Sequence, residues 1–262
     1  MTHLPIIFYF PVFLIGLVFG SFFNVLIYRL PRGISFAKGY SKCPDCGHRL
    51  MAADLVPLFS WLFLRGHCRY CQKPVSVRYP LVEMITGLLY TAVVWRFGFT
   101  IYAFIWVVVC SCLLVIAFVD WEHMIIPDTL NLVIAAMGVI LLLLQPQSLK
   151  DRLLGAFSVS LLFLLIVVVS RGKAMGGGDI KLMAALGLCL GWQLTLFTMA
   201  FGAILGTLVM LLLRRTRYAL GREVPFGSFL AIVGILAVLW GPAFLAWYLG
   251  LILPEHVHVH AP

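Results

Sequence analysis

The chain has 262 residues, of which 63% are hydrophobic and 11% charged, and it carries a formal net charge of +9. Soluble domains hold roughly 25% charged residues, so this composition excludes an ordinary water-soluble enzyme, and continuous rather than alternating apolar runs exclude an outer-membrane-type barrel. Nor does the positive charge indicate nucleic acid as a partner, because basic residues flank membrane spans for topological reasons.

In chain order, apolar segments are predicted as helices at about 6–28, 80–97, 101–119, 125–144, 152–170, 180–191, 193–213 and 226–250. Each is near the length that crosses a bilayer, except the sixth, which is a half-span or packs inside the bundle. The first, from Ile6 to Ile27, is too long for a signal peptide's apolar core and has no basic stretch before it, so it is expected to be retained. The expected fold is an all-α polytopic membrane protein of about eight transmembrane helices. Its divisions are a first span (1–28), a small loop domain (29–79), a helical bundle (80–253) and a tail (254–262). No internal repeat is evident.

The basic residues fix an orientation. Nine lie between Arg29 and Arg78, three more are Arg171, Lys173 and Lys181, and four are Arg214, Arg215, Arg217 and Arg222; only Arg96, Lys150 and Arg152 fall on the other side. Cytoplasmic loops collect Lys and Arg, so the 29–79 loop is expected in the cytoplasm and both termini on the far side. The basic loops also suit contact with lipid headgroups.

The loop is too short for an ordinary core, but it holds Cys43, Cys46, Cys68 and Cys71 as a pair of CxxC knuckles. Four thiolates at this spacing suit a tetrahedral structural zinc ion with no open coordination position. Two disulfides are the competing arrangement, disfavoured in a reducing cytoplasm. His48 and His67 are alternative ligands. Cys110, Cys112 and Cys189 lie inside apolar segments and read as small fillers. The tail residues His256, His258 and His260 could bind metal, though a disordered end is the plainer reading.

Two acids interrupt the apolar pattern. Asp120 closes the third segment, and Asp179 opens the sixth directly after Gly176, Gly177 and Gly178. A carboxylate at such a position is costly unless solvated, paired or neutralised, and so marks a function by default. The glycines let a substrate main chain approach and leave N–H groups free at a helix start. If the two carboxyls meet, they cannot both ionise cheaply, and a shared proton gives the acid and base of an aspartic protease. The plain alternative is two unrelated helix-end residues. Lys181 is placed to tune the local field. Asp128, after Pro127, reads as a helix cap or first-turn residue with a supporting role at the site. Glu122 is expected to be solvated, and Glu83 to pair with an arginine.

DWEHMIIPD at 120–128, MGGGDIKLMAALG at 175–187, GSFFNVLIYRLPRG at 20–33, the CxxC pair and VPFGSFLA at 224–231 together resemble the bacterial type IV prepilin peptidases. The resemblance runs over nearly the whole chain. It implies an inner-membrane GxGD aspartic protease that removes a short basic leader from prepilins or pseudopilins, after a glycine and before a residue that is usually phenylalanine. It places the catalytic pair at Asp120 and Asp179, with Gly176, Gly178, Lys181 and Asp128 around them, and both termini in the periplasm. Members with the four-cysteine domain commonly N-methylate the new terminus with S-adenosylmethionine, whose site would fall in Gly20–Arg32 or the 29–80 loop. A proton-coupled transporter is the alternative function, but it predicts acids at the midplane and an internal repeat.

Overall fold

The computed structural model describes residues 5–173, 175–213 and 224–252. The arginines between 214 and 222, and the tail 254–262 with its three histidines, lie outside the described residues.

Each predicted segment is a helix. In order these are α1 (Tyr9–Arg29), a short α2 (Phe59–Phe63), α3 (Arg78–Phe97), α4 (Ile101–His123), α5 (Asp128–Leu144), α6 (Leu149–Val169), α7 (Gly177–Leu190), α8 (Trp192–Leu213) and α9 (Phe226–Ile252). Five segments are long and apolar enough to cross a membrane, namely Tyr9–Arg32, Ile101–His123, Pro146–Val169, Trp192–Leu213 and Phe226–Tyr248, and α5 is a shorter apolar helix. The protein is mostly helical and carries several membrane-spanning segments.

Helix ends follow local chemistry. α4 runs past its predicted end and takes Asp120 into its last turn. It stops where Met124 turns left-handed (φ +54) and donates its N–H to the Asp120 carbonyl at 2.8 Å. Pro127 is extended and starts α5 at Asp128, three residues later than the apolar run suggests.

The chain divides into two compact units, residues 1–111 and 112–262, with the division inside α4. In the first unit α1 and α3 lie against each other through glycine. A Cβ on Gly16 would come 2.6 Å from Gly87 Cα, and one on Gly20 2.6 Å from Glu83 Cα. Lipid gives helices no hydrophobic reason to associate, so close backbone approach through small residues takes that role. The segment between α1 and α3 has little regular structure: two 3-10 turns, α2 and two isolated β-bridges, Lys42 with Arg49 and His67 with Pro74. Among the described residues Glu83 takes no arginine, where one was expected. Its carboxylate accepts the Leu58 N–H at 2.8 Å, which ties this loop to α3.

In the second unit α7 is the central helix, packed on α5 and α6. Gly155 of α6 and Gly187 of α7 meet so closely that a Cβ on Gly155 would lie 2.6 Å from the Gly187 carbonyl oxygen. The buried Arg152 of α6 donates to the Leu188 carbonyl at 3.0 Å and to that of Cys189, satisfying carbonyls that the last turn of α7 leaves without partners. A helix of 14 residues, too short to span alone, is held at its far end in this way.

Candidate active site

Asp120 is 5% exposed. Its Oδ2 accepts the Ser228 N–H at 2.6 Å, and the Ser228 hydroxyl lies 3.0 Å from the same oxygen and 2.8 Å from the Ala117 carbonyl. Ser228 is the third residue of α9, which follows Pro225. N–H groups in a helix's first turn have no intrahelical acceptor, and the helix dipole favours an anion there. Gly227 makes the approach possible, since a Cβ on it would stand 2.6 Å from Ile126 Cδ1 and 3.1 Å from Asp120 Oδ2.

Asp179 is the third residue of α7 and is 8% exposed. The helix begins from an extended Gly176 (φ −80, ψ 152). Asp179 lies within electrostatic reach of Asp120. Its Oδ1 is buried and has no hydrogen-bond partner among the described residues. Ile126 is the shared neighbour of Gly178 and Gly227, the residues before Asp179 and Ser228. Its side chain rests against Gly178, where a Cβ would meet Ile126 Cβ at 3.1 Å, and against Gly227. Among the described residues, an added Cβ would find nothing within 4 Å at Gly177 and only the Gly178 nitrogen at 4.0 Å from Gly176.

Asp128 is the first residue of α5, as expected of a first-turn residue, and Lys181 is its partner. Lys181 Nζ lies 2.9 Å from both Asp128 carboxylate oxygens, and both side chains are exposed. The pair clamps the start of α7 to the start of α5. Glu122 has a side chain 30% exposed and lies 3.9 Å from His123 Nε2. Sequence reasoning quoted VPFGSFLA without giving a role to Ser228 or Gly227. The available signal was a proline followed by a glycine and a hydroxyl residue at a helix start, where free N–H groups await an anion.

The first unit holds a second constellation. The Sγ atoms of Cys43, Cys46, Cys68 and Cys71 all lie within 4.8 Å of one another, with Cys43 and Cys71 3.9 Å apart, and all four are free thiols. Tetrahedral Zn–S bonds of about 2.3 Å put sulfurs about 3.8 Å apart, so this donor set fits zinc. The two knuckles repeat one design. Gly47 and Gln72 follow the second cysteine of each in a left-handed conformation (φ +70 and +59), and each donates its N–H to the first cysteine's carbonyl, at 2.9 and 3.0 Å. Lys73 bridges the knuckles to Asp45 at 2.9 Å. The Cys46 backbone N–H draws the Cys43 thiol down to about 7 against the effect of burial. Despite the Lys73 N–H, burial and the neighbouring thiols push Cys71 up to about 11. Sulfurs this crowded resist joint ionisation unless a cation sits among them. His48 stacks on Tyr70 at 3.6 Å, and His67 Nδ1 lies 2.8 Å from the Arg65 carbonyl. Neither histidine belongs to the four-cysteine group.

Two family models match the chain. One, described as the bacterial peptidase A24 N-terminal domain, covers residues 14–97, and the other, described as the type IV leader peptidase family, covers residues 107–211. Curated proteins named prepilin leader peptidase/N-methyltransferase are similar over most of the chain. That of Stutzerimonas stutzeri is 36% identical, covering 94% of this chain and 95% of the relative. That of Aeromonas hydrophila is 36% identical with the same coverage, and that of Pseudomonas aeruginosa is 33% identical over 94% of each. No solved structure matches the chain.

Proposed function

We propose that this chain, which belongs to the type IV leader peptidase family, cleaves the basic leader from prepilins or pseudopilins at the cytoplasmic face of the inner membrane and then N-methylates the new terminus. One observation carries the peptidase reading. Two buried carboxyls from separate helices, Asp120 of α4 and Asp179 of α7, lie within electrostatic reach of each other. Among the described residues no basic side chain acts on either acid, so the pair is suited to hold a single proton between them. One carboxyl takes a proton from water as the water attacks the scissile carbonyl, and the other protonates the carbonyl oxygen. The eight helices other than α2 would all take part in the membrane domain, with residues 29–79 on the cytoplasmic side. The sixteen-to-three division of basic residues supports that orientation. A prepilin's scissile bond, between a basic leader and an apolar helix, would then sit at the level of both acids.

The four thiols would hold a structural zinc ion that fixes the two knuckles together. Methyl transfer rests on the relatives' names. Within the stretch expected to meet the methyl donor, Asn24 Oδ1 is buried with no hydrogen-bond partner among the described residues. An unsatisfied acceptor suits an ammonium, so Asn24 would contact S-adenosylmethionine, which supplies the methyl group. Calorimetric titration of that donor should show weaker binding to Asn24→Ala than to the unaltered protein.

The test of the peptidase reading is co-expression with a prepilin. Asp120→Ala and Asp179→Ala should each leave the precursor at full length on a gel while the protein still inserts. Normal processing in either variant removes that residue from the mechanism. Mass spectrometry of the pilin N-terminus reports the cleavage position and the methyl group together.

A further inference from the structure

The two acids are held in opposite ways. Asp120 Oδ2 is the acceptor for the Ser228 N–H at 2.6 Å and lies 3.0 Å from the Ser228 hydroxyl. Asp179 Oδ1 is equally out of water and has no partner among the described residues. Asp179 sits in the first turn of α7, whereas Asp120 sits in the last turn of α4, whose dipole opposes a charge, and against the first turn of α9, whose dipole favours one, so helix dipoles alone do not assign the proton. Hydrogen bonds do. Donors aimed at one oxygen stabilise its charged form, while a buried carboxyl without donors is least costly when neutral. The Ser228 hydroxyl is 1% exposed by residue and has one proton for two acceptors, the Ala117 carbonyl and the Asp120 carboxylate. A charged acceptor makes the stronger bond.

We propose that Ser228 is a positioning residue that holds Asp120 as the ionised member of the pair and thereby leaves Asp179 carrying the proton. This rests on the two-aspartate reading and assigns its roles. Asp120 is the base: it accepts a proton from water as the water oxygen bonds to the scissile carbon. Asp179 is the acid: it gives its proton to the carbonyl oxygen, and a gem-diol forms. On collapse the C–N bond breaks, the proton on Asp120 passes to the leaving nitrogen, and a gem-diol hydroxyl returns its proton to Asp179. The pair ends as it began.

The experiment uses the full chain, labelled with carbon-13 at aspartate and reconstituted in lipid at neutral pH, with infrared spectroscopy as the probe. The label separates aspartate bands from those of the glutamates. A protonated-carboxyl band is expected in the unaltered protein, lost in Asp179→Asn and kept in Asp120→Asn. Loss in Asp120→Asn with retention in Asp179→Asn reverses the assignment, and a band absent from the unaltered protein overturns it. Kinetics give an independent arm. Ser228→Ala should lower kcat for prepilin cleavage about tenfold or more at unchanged KM, and Ser228→Thr should restore most of it. An unchanged kcat in Ser228→Ala overturns the role of Ser228. Cleavage surviving in either Asp→Asn variant refutes the two-aspartate reading itself, whatever the spectra show.

Discussion

Asp54 and Asp179 are both acids nearly removed from water, and the fold treats them in contrary fashion. The Asp54 side chain is 4% exposed. It accepts from Arg69 Nε at 2.7 Å, the Tyr70 hydroxyl at 3.0 Å and the Met51 N–H at 3.1 Å. Burial works against its charge, but these donors prevail and hold its carboxyl below the ordinary value. A carboxyl whose folded value is depressed contributes stability above its unfolded value of about 3.9, and that contribution is lost as the pH falls through the folded value. Asp54→Asn should therefore loosen the 29–79 loop at pH 7, as read by limited proteolysis, and the difference from the unaltered protein should vanish in strong acid. Asp54 is a structural acid with every need met; Asp179 is left wanting, which is where chemistry is expected. Lys181 and Asp128 fall between. Exposed pairs are worth about 0.2–1 kcal/mol, so Lys181→Ala or Asp128→Ala should slow prepilin processing by no more than about fivefold. The charge-swapped double variant should recover part of that loss.

At the scale of elements, the glycines of α7 divide into two kinds. Gly187 is locked against Gly155 of α6, where a Cβ on Gly155 would come 2.6 Å from its carbonyl oxygen. Gly155→Ala forces two backbones apart, and overpacking of this sort costs about 1–3 kcal/mol, visible as a lower unfolding midpoint in detergent. Gly177 has no described residue within 4 Å of its missing Cβ. If that space receives a substrate main chain, Gly177→Ala should keep the unfolding midpoint and still reduce kcat/KM. Unchanged kcat/KM would show that the space serves no substrate. The position of α7 was legible from a glycine run and an apolar stretch. Its locking by Arg152 was not, because a lone arginine beside an apolar segment reads as a topological charge until the carbonyls of Leu188 and Cys189 are seen to point at it.

At the scale of the whole molecule, the four-thiol cluster lies in residues 1–111 and the two buried acids, Asp120 and Asp179, in 112–262. Chelation of zinc, or Cys43→Ser, should disorder the 29–79 loop and reduce methylation more than leader cleavage. Equal loss of both, measured on the pilin N-terminus, would mean that both activities depend on the same scaffold. Much of this architecture was written locally. Apolar runs broken by Pro and Gly set the helices, and CxxC spacing set the thiol cluster, because hydropathy and knuckle geometry depend on neighbours a few residues apart. The partners of polar groups were decided only by tertiary structure. Ser228 reaches Asp120 across 108 residues, Lys181 reaches Asp128 across 53, and Leu58 donates to Glu83 across 25. A buried hydrogen-bonding group takes whichever donor the packed helices bring within 3 Å, and no local pattern in the chain encodes that choice.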